Sequence, residues 1–429
     1  MRYILFMILF GGFLVSAELK YLTVGEIKIP TIYEKQSLLP TFNMQLVFKN
    51  SGYISDGKKA GLSTLSAKLL NEGTKSEGSI KFARKLEDKA ISIGVQNGFE
   101  TFVVELSSLV SEYDSAIKLL NQLLKDPNYT KDTLDKIKTI HLGKLKRKEN
   151  DFDFIAKSNL KELLFKGTTL ANKENGTVKS IPKIIVADIQ KHLESVLSLE
   201  NLIIVAGGDK SFEEFESSIK KTLKILNKKT SQSPNEKKID VVVKNKEKVV
   251  YKDTEQAYLY FGSPFDMDAK DEDVYKAKVA SFILGGSGFG SRLMEEIRVK
   301  RGLAYSAYGY ISINNLYTYF TGYLQTKLES ADEAKSLVKD IVKEFVKKGV
   351  TKKELEGAKN FLTGSEPLRV ETLSQRQSRA FSLFFKGLPF DQSQKELDLI
   401  EKLTLDDLNS FIKKHSEIEN LSFSIVTKE

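Results

Sequence analysis

Apolar residues recur along this chain with two periods, and the periods alternate. Leu62, Leu65, Leu69 and Leu70 repeat at helical spacing and predict a helix over Gly61–Asn71 that ends at Gly73. Phe42–Phe48 and Thr101–Leu106 alternate or run apolar over strand lengths. Two longer helical stretches come next, about Glu112–Lys125 and Lys131–Lys148. The second half repeats the grammar, with a strand over Gln256–Phe261, a helix over Glu272–Leu284, and amphipathic helices over Ala331–Phe345 and Lys352–Leu362. Tyr305–Ile313 and Leu316–Leu324 flank Asn314-Asn315, a hairpin-turn signal. A hairpin makes its sheet at least partly antiparallel, so the predicted class is α+β and not a doubly wound parallel sheet.

The halves also match in detail. Asp188-Ile189-Gln190 opens a helical stretch leading to the strand-like Glu200-Asn201-Leu202-Ile203-Ile204-Val205. At one common offset, Asp407-Leu408-Asn409 leads to Glu419-Asn420-Leu421-Ser422-Phe423-Ser424-Ile425-Val426. This points to an internal duplication of about half the chain. Polar, breaker-rich residues from Asn227 to Lys238 separate the copies. The expected organisation is a leader at 1–17, a domain at 18–226, a linker at 227–240 and a second domain at 241–429. A length of 429 residues fits two domains of about 200 residues each.

Composition narrows the functional classes. With 41% hydrophobic and 29% charged residues the chain reads as globular. Met1-Arg2, the apolar run Tyr3–Val15 and the small residues before Ala17 form an expected signal peptide, and an uncleaved anchor is the alternative. No later segment is apolar enough to span a bilayer. The absence of cysteine excludes disulfides, thiolate metal sites and a cysteine nucleophile. An exported chain without cysteine suits the bacterial periplasm, which is the expected location. The formal charge of +9 is spread as Lys among Glu and Asp, with no basic run interleaved with aromatics, so no nucleic-acid surface is expected.

The densest chemical signal is Gly285-Gly286-Ser287-Gly288-Phe289-Gly290-Ser291-Arg292-Leu293, running on through Arg298 to Gly302-Leu303-Ala304-Tyr305. It reads as a glycine loop, a short helix capped by Ser291 and stopped near Gly302, then a strand. The loop lacks the Gly-Lys-Ser/Thr ending of a phosphate loop and comes after a helix, which speaks against nucleotide binding. Arg298 at the helix end can approach Tyr305 in space. On composition alone, Arg298 would instead pair with Glu295 or Glu296, and Tyr305 would sit half-buried in a sheet. Further stretches carry the same stamp: Gln256-Ala257-Tyr258-Leu259, Ala331-Asp332-Glu333-Ala334, Gly349-Val350-Thr351-Lys352-Lys353-Glu354-Leu355, and Ala60-Gly61-Leu62 with Gly73-Thr74.

From about Val24 to Lys428 the chain resembles the pitrilysin / mitochondrial processing peptidase family of zinc metallopeptidases, bacterial two-chain type. The resemblance implies two homologous domains, each a mainly antiparallel sheet packed with helices. It also implies that Arg298 and Tyr305 form a substrate-binding pair. The family's zinc helix carries His-x-x-Glu-His, two metal ligands and a general base. In this chain the ligand positions fall on Thr64 and Lys68, and the base position on Ala67. The third ligand, a downstream Glu, falls near Gly143-Lys144, with the lone His141 close by. Three histidines, His141, His192 and His415, lie far apart in sequence. No metal site and no catalytic residue of its own are expected here.

By that resemblance the chain is a non-catalytic subunit. Zinc is expected in a homologous partner with an intact His-x-x-Glu-His helix, while Arg298 and Tyr305 act in trans on unfolded peptides. Pairing with a second copy of itself stays open. Two other readings remain: a scaffolding member, like some respiratory-complex core subunits of the family, and a stand-alone peptidase with an unrecognised site.

Overall fold

The computed structural model describes residues 17–229 and 237–429. The expected leader lies outside the described residues except for Ala17, as does the middle of the expected linker. The first half forms a six-stranded sheet from β1 (Glu18–Val24), β2 (Ile27–Lys35), β3 (Thr41–Lys49), β4 (Ser92–Asn97), β5 (Thr101–Leu109) and β6 (Leu202–Gly208). Their order is β1-β2-β6-β3-β5-β4, and only β2 and β6 pair in parallel. The second half forms a five-stranded sheet from β7 (Glu247–Tyr251), β8 (Gln256–Pro264), β9 (Ala304–Ile313), β10 (Thr318–Lys327) and β11 (Ser422–Thr427). Its order, β7-β11-β8-β10-β9 with one parallel pair, repeats β2-β6-β3-β5-β4. Both sheets are mainly antiparallel and packed with helices, the α+β class expected.

The period-2 pattern explains the strands. Phe42, Met44, Leu46 and Phe48 of β3 are buried on one face, opposite Leu106, Val104 and Phe102 of β5. Against that face lie α1 (Leu62–Leu70), α2 (Gly78–Glu87), α3 (Tyr113–Lys125), α4 (Lys131–Lys148), α6 (Val186–Val196) and α7 (Phe212–Leu223), which share its core cluster. The second sheet is covered likewise by α8 (Val274–Ser281), α9 (Arg292–Met294), α10 (Ala331–Lys348), α11 (Lys352–Gly364), α13 (Gln392–Lys402) and α14 (Leu405–Lys414). Among the described residues no helix is long and apolar enough to cross a membrane.

Two helices cross over. The first half's α5 (Phe152–Leu164) packs Ala156, Leu160 and Leu164 against Tyr260 and Val426 of the second sheet. The second half's α12 (Leu373–Phe385) packs Ala380, Phe381, Phe384 and Phe385 against Ile32, Val47, Ile203 and Val205 of the first sheet. Local chemistry starts both helices: the Asp151 side chain accepts from the Phe154 N–H, and Thr372 and Gln375 form a capping box. This exchange explains why β6 is buried on both faces and reads as an unbroken apolar run. Each sheet therefore depends on a helix supplied by the other half of the chain.

One buried ion pair fixes the second crossover. Glu34 of β2 is fully buried, and its Oε1 accepts from Arg376 Nε at 2.8 Å and lies 2.7 Å from Nη2. Burial raises the Glu34 pKa, opposed by the Arg376 hydrogen bond and charge. The helix approaches so closely that a Cβ on Gly207 would lie 2.6 Å from Gln377 Nε2.

Candidate functional site

In the second half, α8 runs into a π-helical turn, Phe282–Gly286, where the chain passes hard against β9. A Cβ on Gly285 would lie 2.5 Å from the Gly309 backbone nitrogen, so only glycine allows this approach. Ser291 then caps α9, accepting from the Met294 N–H at 3.4 Å and donating to the Gly288 carbonyl at 2.7 Å. Leu293, Met294 and Ile297 are fully buried and clamp the segment to the core. Its continuation, Glu295–Val299, is again a π turn, which adds a residue per turn and so rotates the side chains at its end. Arg298 sits in that turn, and the chain enters β9 six residues later.

Three arginines occupy this segment, and two are tied to carboxylates. Arg292 holds Glu354 through Nε at 2.6 Å and Nη2 at 2.9 Å, and also reaches the Gly349 carbonyl. Arg301 pairs with Glu296 at 2.7 Å, and Lys300 shares that carboxylate. Arg298 makes no ion pair among the described residues. The composition-based alternative, Arg298 against Glu295 or Glu296, is not what the structure shows. Its guanidinium instead lies over two rings, 4.6 Å from the Phe289 centroid and 4.5 Å from the Tyr305 centroid. Both rings face solvent, with Tyr305 82% and Phe289 67% exposed, so Tyr305 is not the half-buried sheet residue that composition would give.

Ring contacts use none of the guanidinium's N–H donors, which stay available to an acceptor. Phe289 is the member that sequence reasoning did not single out. Its signal was an exposed aromatic held between glycines in an otherwise polar loop. Beyond it, between α9, α10 and α11, opens a cavity of about 1140 Å³ lined by Phe289, Arg292, Glu295, Ile341 and Phe361 among others. Arg298 and Tyr305 do not line it.

The expected zinc positions lie on α1, in the first half. Thr64 is buried and donates to the Glu174 carbonyl at 2.9 Å. Ala67 is buried, and Lys68 is half-buried beside α4. Burial lowers the Lys68 pKa, and the charge of Lys144 lowers it further. His141, buried on α4, has its pKa lowered by burial; a hydrogen bond from Nε2 to the Asn175 carbonyl at 2.8 Å opposes this, and Lys68 and Lys144 add to it. The fold thus brings Lys68, His141 and Lys144 together, with carbonyls of loop 172–178 closing over Thr64 and His141. These residues do not fit a zinc ion. Two ammonium groups repel it, the Thr64 hydroxyl is engaged as a donor, and one imidazole nitrogen is left to ligate. Among the described residues, no three His, Cys, Asp or Glu side chains are placed to hold a metal. No hydrogen bond, ion pair or ring contact joins this cluster to Arg298 or Tyr305 among the described residues.

A Ser, a His and an Asp do meet behind α1, in the wrong order for a nucleophile. Ser63 Oγ donates to Asp56 Oδ1 at 2.6 Å and lies 3.1 Å from His192 Nε2, so the serine, not the histidine, sits in the middle. All three are buried. Asp56 also accepts from the Gly61 and Ser63 N–H groups and so holds the start of α1. Burial pushes the His192 pKa down to about 4. A depressed folded pKa gives stability that is present above the unfolded value, near 6.5, and is lost as pH falls towards 4. Relative to His192→Gln, the wild-type chain should therefore lose roughly 3 kcal/mol between these limits, at about 1.4 kcal/mol per pH unit. Urea midpoints across that range measure it. Asp56, pushed up to about 6 by burial, titrates in the same window with the opposite sign, which is why the difference between the two chains is the readout.

Fold and site together define a two-sheet, duplicated peptidase-like protein with no metal-holding cluster of side chains among the described residues. Residues 183–362 match the family described as the peptidase M16 inactive domain. Over 436 aligned residues the chain is 44% identical to the non-peptidase homolog YmxG of Helicobacter pylori, covering 100% of this chain and 99% of that protein. The peptidase M16 inactive domain from Pseudomonas fluorescens superposes with a TM-score of 0.87 at 24% identity, over 96% of this chain and 98% of that one. The periplasmic protease PqqL from Escherichia coli superposes with a TM-score of 0.75 at 14% identity, over 96% of this chain and 47% of that one. The chain belongs to the M16 peptidase family, the pitrilysin and processing-peptidase type, as one of its inactive, non-peptidase members.

Proposed function

We propose that this chain is the non-catalytic subunit of a two-chain zinc peptidase, presenting Arg298 and Tyr305 to unfolded peptides while a homologous partner supplies zinc and water. One observation carries the reading. Arg298 makes no ion pair among the described residues, yet its guanidinium is held against two exposed rings, while the expected metal positions carry a hydroxyl, a methyl and an ammonium. A chain kept only for its fold has no need of an exposed Phe289–Arg298–Tyr305 cluster. The half-length match to PqqL supports the pairing on fold alone, since two chains of this size would make up one such protein. The apolar leader supports export to the periplasm, where both subunits would meet.

In this role the chain's own chemistry is binding. The Arg298 edge takes peptide carbonyl or carboxylate oxygens, and the Tyr305 hydroxyl donates to a carbonyl oxygen that gains charge as the bond breaks.

The test is cleavage of a quenched fluorescent peptide by the mature chain. It is run alone, then titrated with the homologue from the same organism that carries an intact His-x-x-Glu-His helix. The expected result is silence alone and activity saturating near one-to-one. Chelator-sensitive turnover by this chain alone would overturn the reading.

A further inference from the structure

A second concentration of charge lies away from Arg298, between α4, α5 and loop 172–178. A cavity of about 530 Å³ there is lined by five lysines, Lys148, Lys157, Lys161, Lys173 and Lys252, against two carboxylates, Glu149 and Glu174. Lys148 is neutralised by Asp151 at 2.6 Å. The other four lysines make no ion pair among the described residues. The rest of the lining mixes amides with an apolar wall that includes Leu145, Phe154 and Ile155. A cavity with surplus ammonium groups and an apolar wall fits a small organic anion.

Lys161 differs from its neighbours. The face of α5 that carries Leu160 and Leu164 is spent on the second sheet, and Lys161 turns to Tyr53. Its Nζ donates to the Tyr53 hydroxyl and lies 5.1 Å from that ring's centroid. Tyr53 is itself buried and packs on Phe99 at 4.9 Å, so this partner is fixed. The ammonium is thus half out of water, held by a phenol and not by a carboxylate.

We propose that Lys161 is a reactive amine that forms a Schiff base with small aldehydes bearing a phosphate or carboxylate, drawn into the cavity by the unpaired lysines that share it. Burial pushes the Lys161 pKa down to about 8, only partly countered by Glu174, whereas an ordinary lysine titrates near 10.4. At neutral pH the neutral amine is therefore roughly two-hundredfold more abundant here. The chemistry balances without a redox partner. The amine lone pair attacks the carbonyl carbon, an amine proton passes to the carbonyl oxygen, and the carbinolamine loses water to leave C=N. The Tyr53 hydroxyl, within hydrogen-bond reach of the nitrogen, positions the amine. The inference does not rest on the peptidase reading.

The test incubates the mature chain with substoichiometric pyridoxal 5′-phosphate, traps imines with borohydride, and maps the modified lysine by peptide mass spectrometry. Lys161 should carry most of the label, with a labelling rate that rises around pH 8. Pyridoxal, which lacks the phosphate, should label at least tenfold more slowly, and excess inorganic phosphate should protect. Lys161→Arg should remove that labelled peptide and leave the surface labelling unchanged. Label spread evenly over surface lysines, or concentrated on Lys68 or on Lys386, whose pKa values burial also lowers, would overturn the proposal. So would equal rates with pyridoxal. The reagent and competition arms use the wild-type chain, so they stand even if the variant misfolds.

Discussion

Arg298→Ala, combined with the zinc-bearing homologue, is expected to lower kcat/KM for peptide cleavage by about 10–10²-fold, the equivalent of the roughly 1.5–3 kcal/mol that hydrogen bonds to a charged group contribute. The folded state should lose little. Arg298 is half-buried and makes no ion pair among the described residues, so the loss of stability should be confined to its two ring contacts, about 0.5–1 kcal/mol each. The argument is geometric. Phe289 and Tyr305, with ring centroids 4.6 and 4.5 Å from the guanidinium carbon, hold that group by cation–π contact before a peptide arrives. Arg298→Lys should recover little, because an ammonium on a flexible stem neither stacks on rings nor offers a fork of donors. Phe289→Ala should act in the same direction but only several-fold, since an exposed cation–π contact contributes about 0.5–1 kcal/mol. Steady-state kinetics of the reconstituted pair, with urea midpoints as the folding control, make the measurement. Unchanged turnover in Arg298→Ala would remove the trans-acting role and leave a scaffolding member of the family.

Arg376→Met should be the most destabilising single change at the crossover, by about 3–5 kcal/mol at neutral pH. The methionine replaces the guanidinium's volume but leaves Glu34 fully buried with no cation. Burial already raises the Glu34 pKa, and Arg376 is what opposes it. Without Arg376 the folded pKa rises further above 4.5. A raised folded pKa gives stability that is present below the unfolded value and lost as pH rises through the folded one. The deficit of the variant should therefore be small near pH 4.5 and grow towards neutrality. The double variant Glu34→Leu with Arg376→Met should recover most of the loss, because two apolar side chains leave no buried charge behind. Urea titrations of the single and double variants at pH 4.5 and 7 measure both effects. A pH-independent deficit would mean that Arg376 acts through its hydrogen bonds to the Val370 and Glu371 carbonyls instead.

Much of this protein was legible one segment at a time. The alternation Phe42–Phe48 became β3, the run Lys131–Lys148 became α4, and the Asn314-Asn315 signal became the β9–β10 turn. Each depends on residues within a few positions, where side-chain spacing alone decides which face is apolar. The expectation of no zinc site rested likewise on residue identity, since a methyl at Ala67 and an ammonium at Lys68 are wrong for that chemistry wherever they sit. The matched tails around Asp188 and Asp407 announced the duplication, which reappears as one strand order in two sheets.

Other features came only with the third dimension. Nothing in the spacing of Ala156, Leu160 and Leu164 says that they cover a sheet made from residues about a hundred positions later, nor that Ala380 and Phe384 cover the first sheet in return. Arg298 could have paired with Glu296 by proximity in sequence; it does not, because a π turn re-aims it and Lys300 and Arg301 reach that carboxylate. Loop 172–178 shows no affinity for Thr64 or His141 until its carbonyls lie against them. By itself, then, the sequence determined the helices and strands and the repeat, because those depend on residue identity and local periodicity. Tertiary structure alone decided which sheet each crossover helix covers, which arginine goes without a carboxylate among the described residues, and what closes over Thr64 and His141. Those outcomes are competitions among partners far apart in sequence, settled by packing and desolvation once the chain has folded.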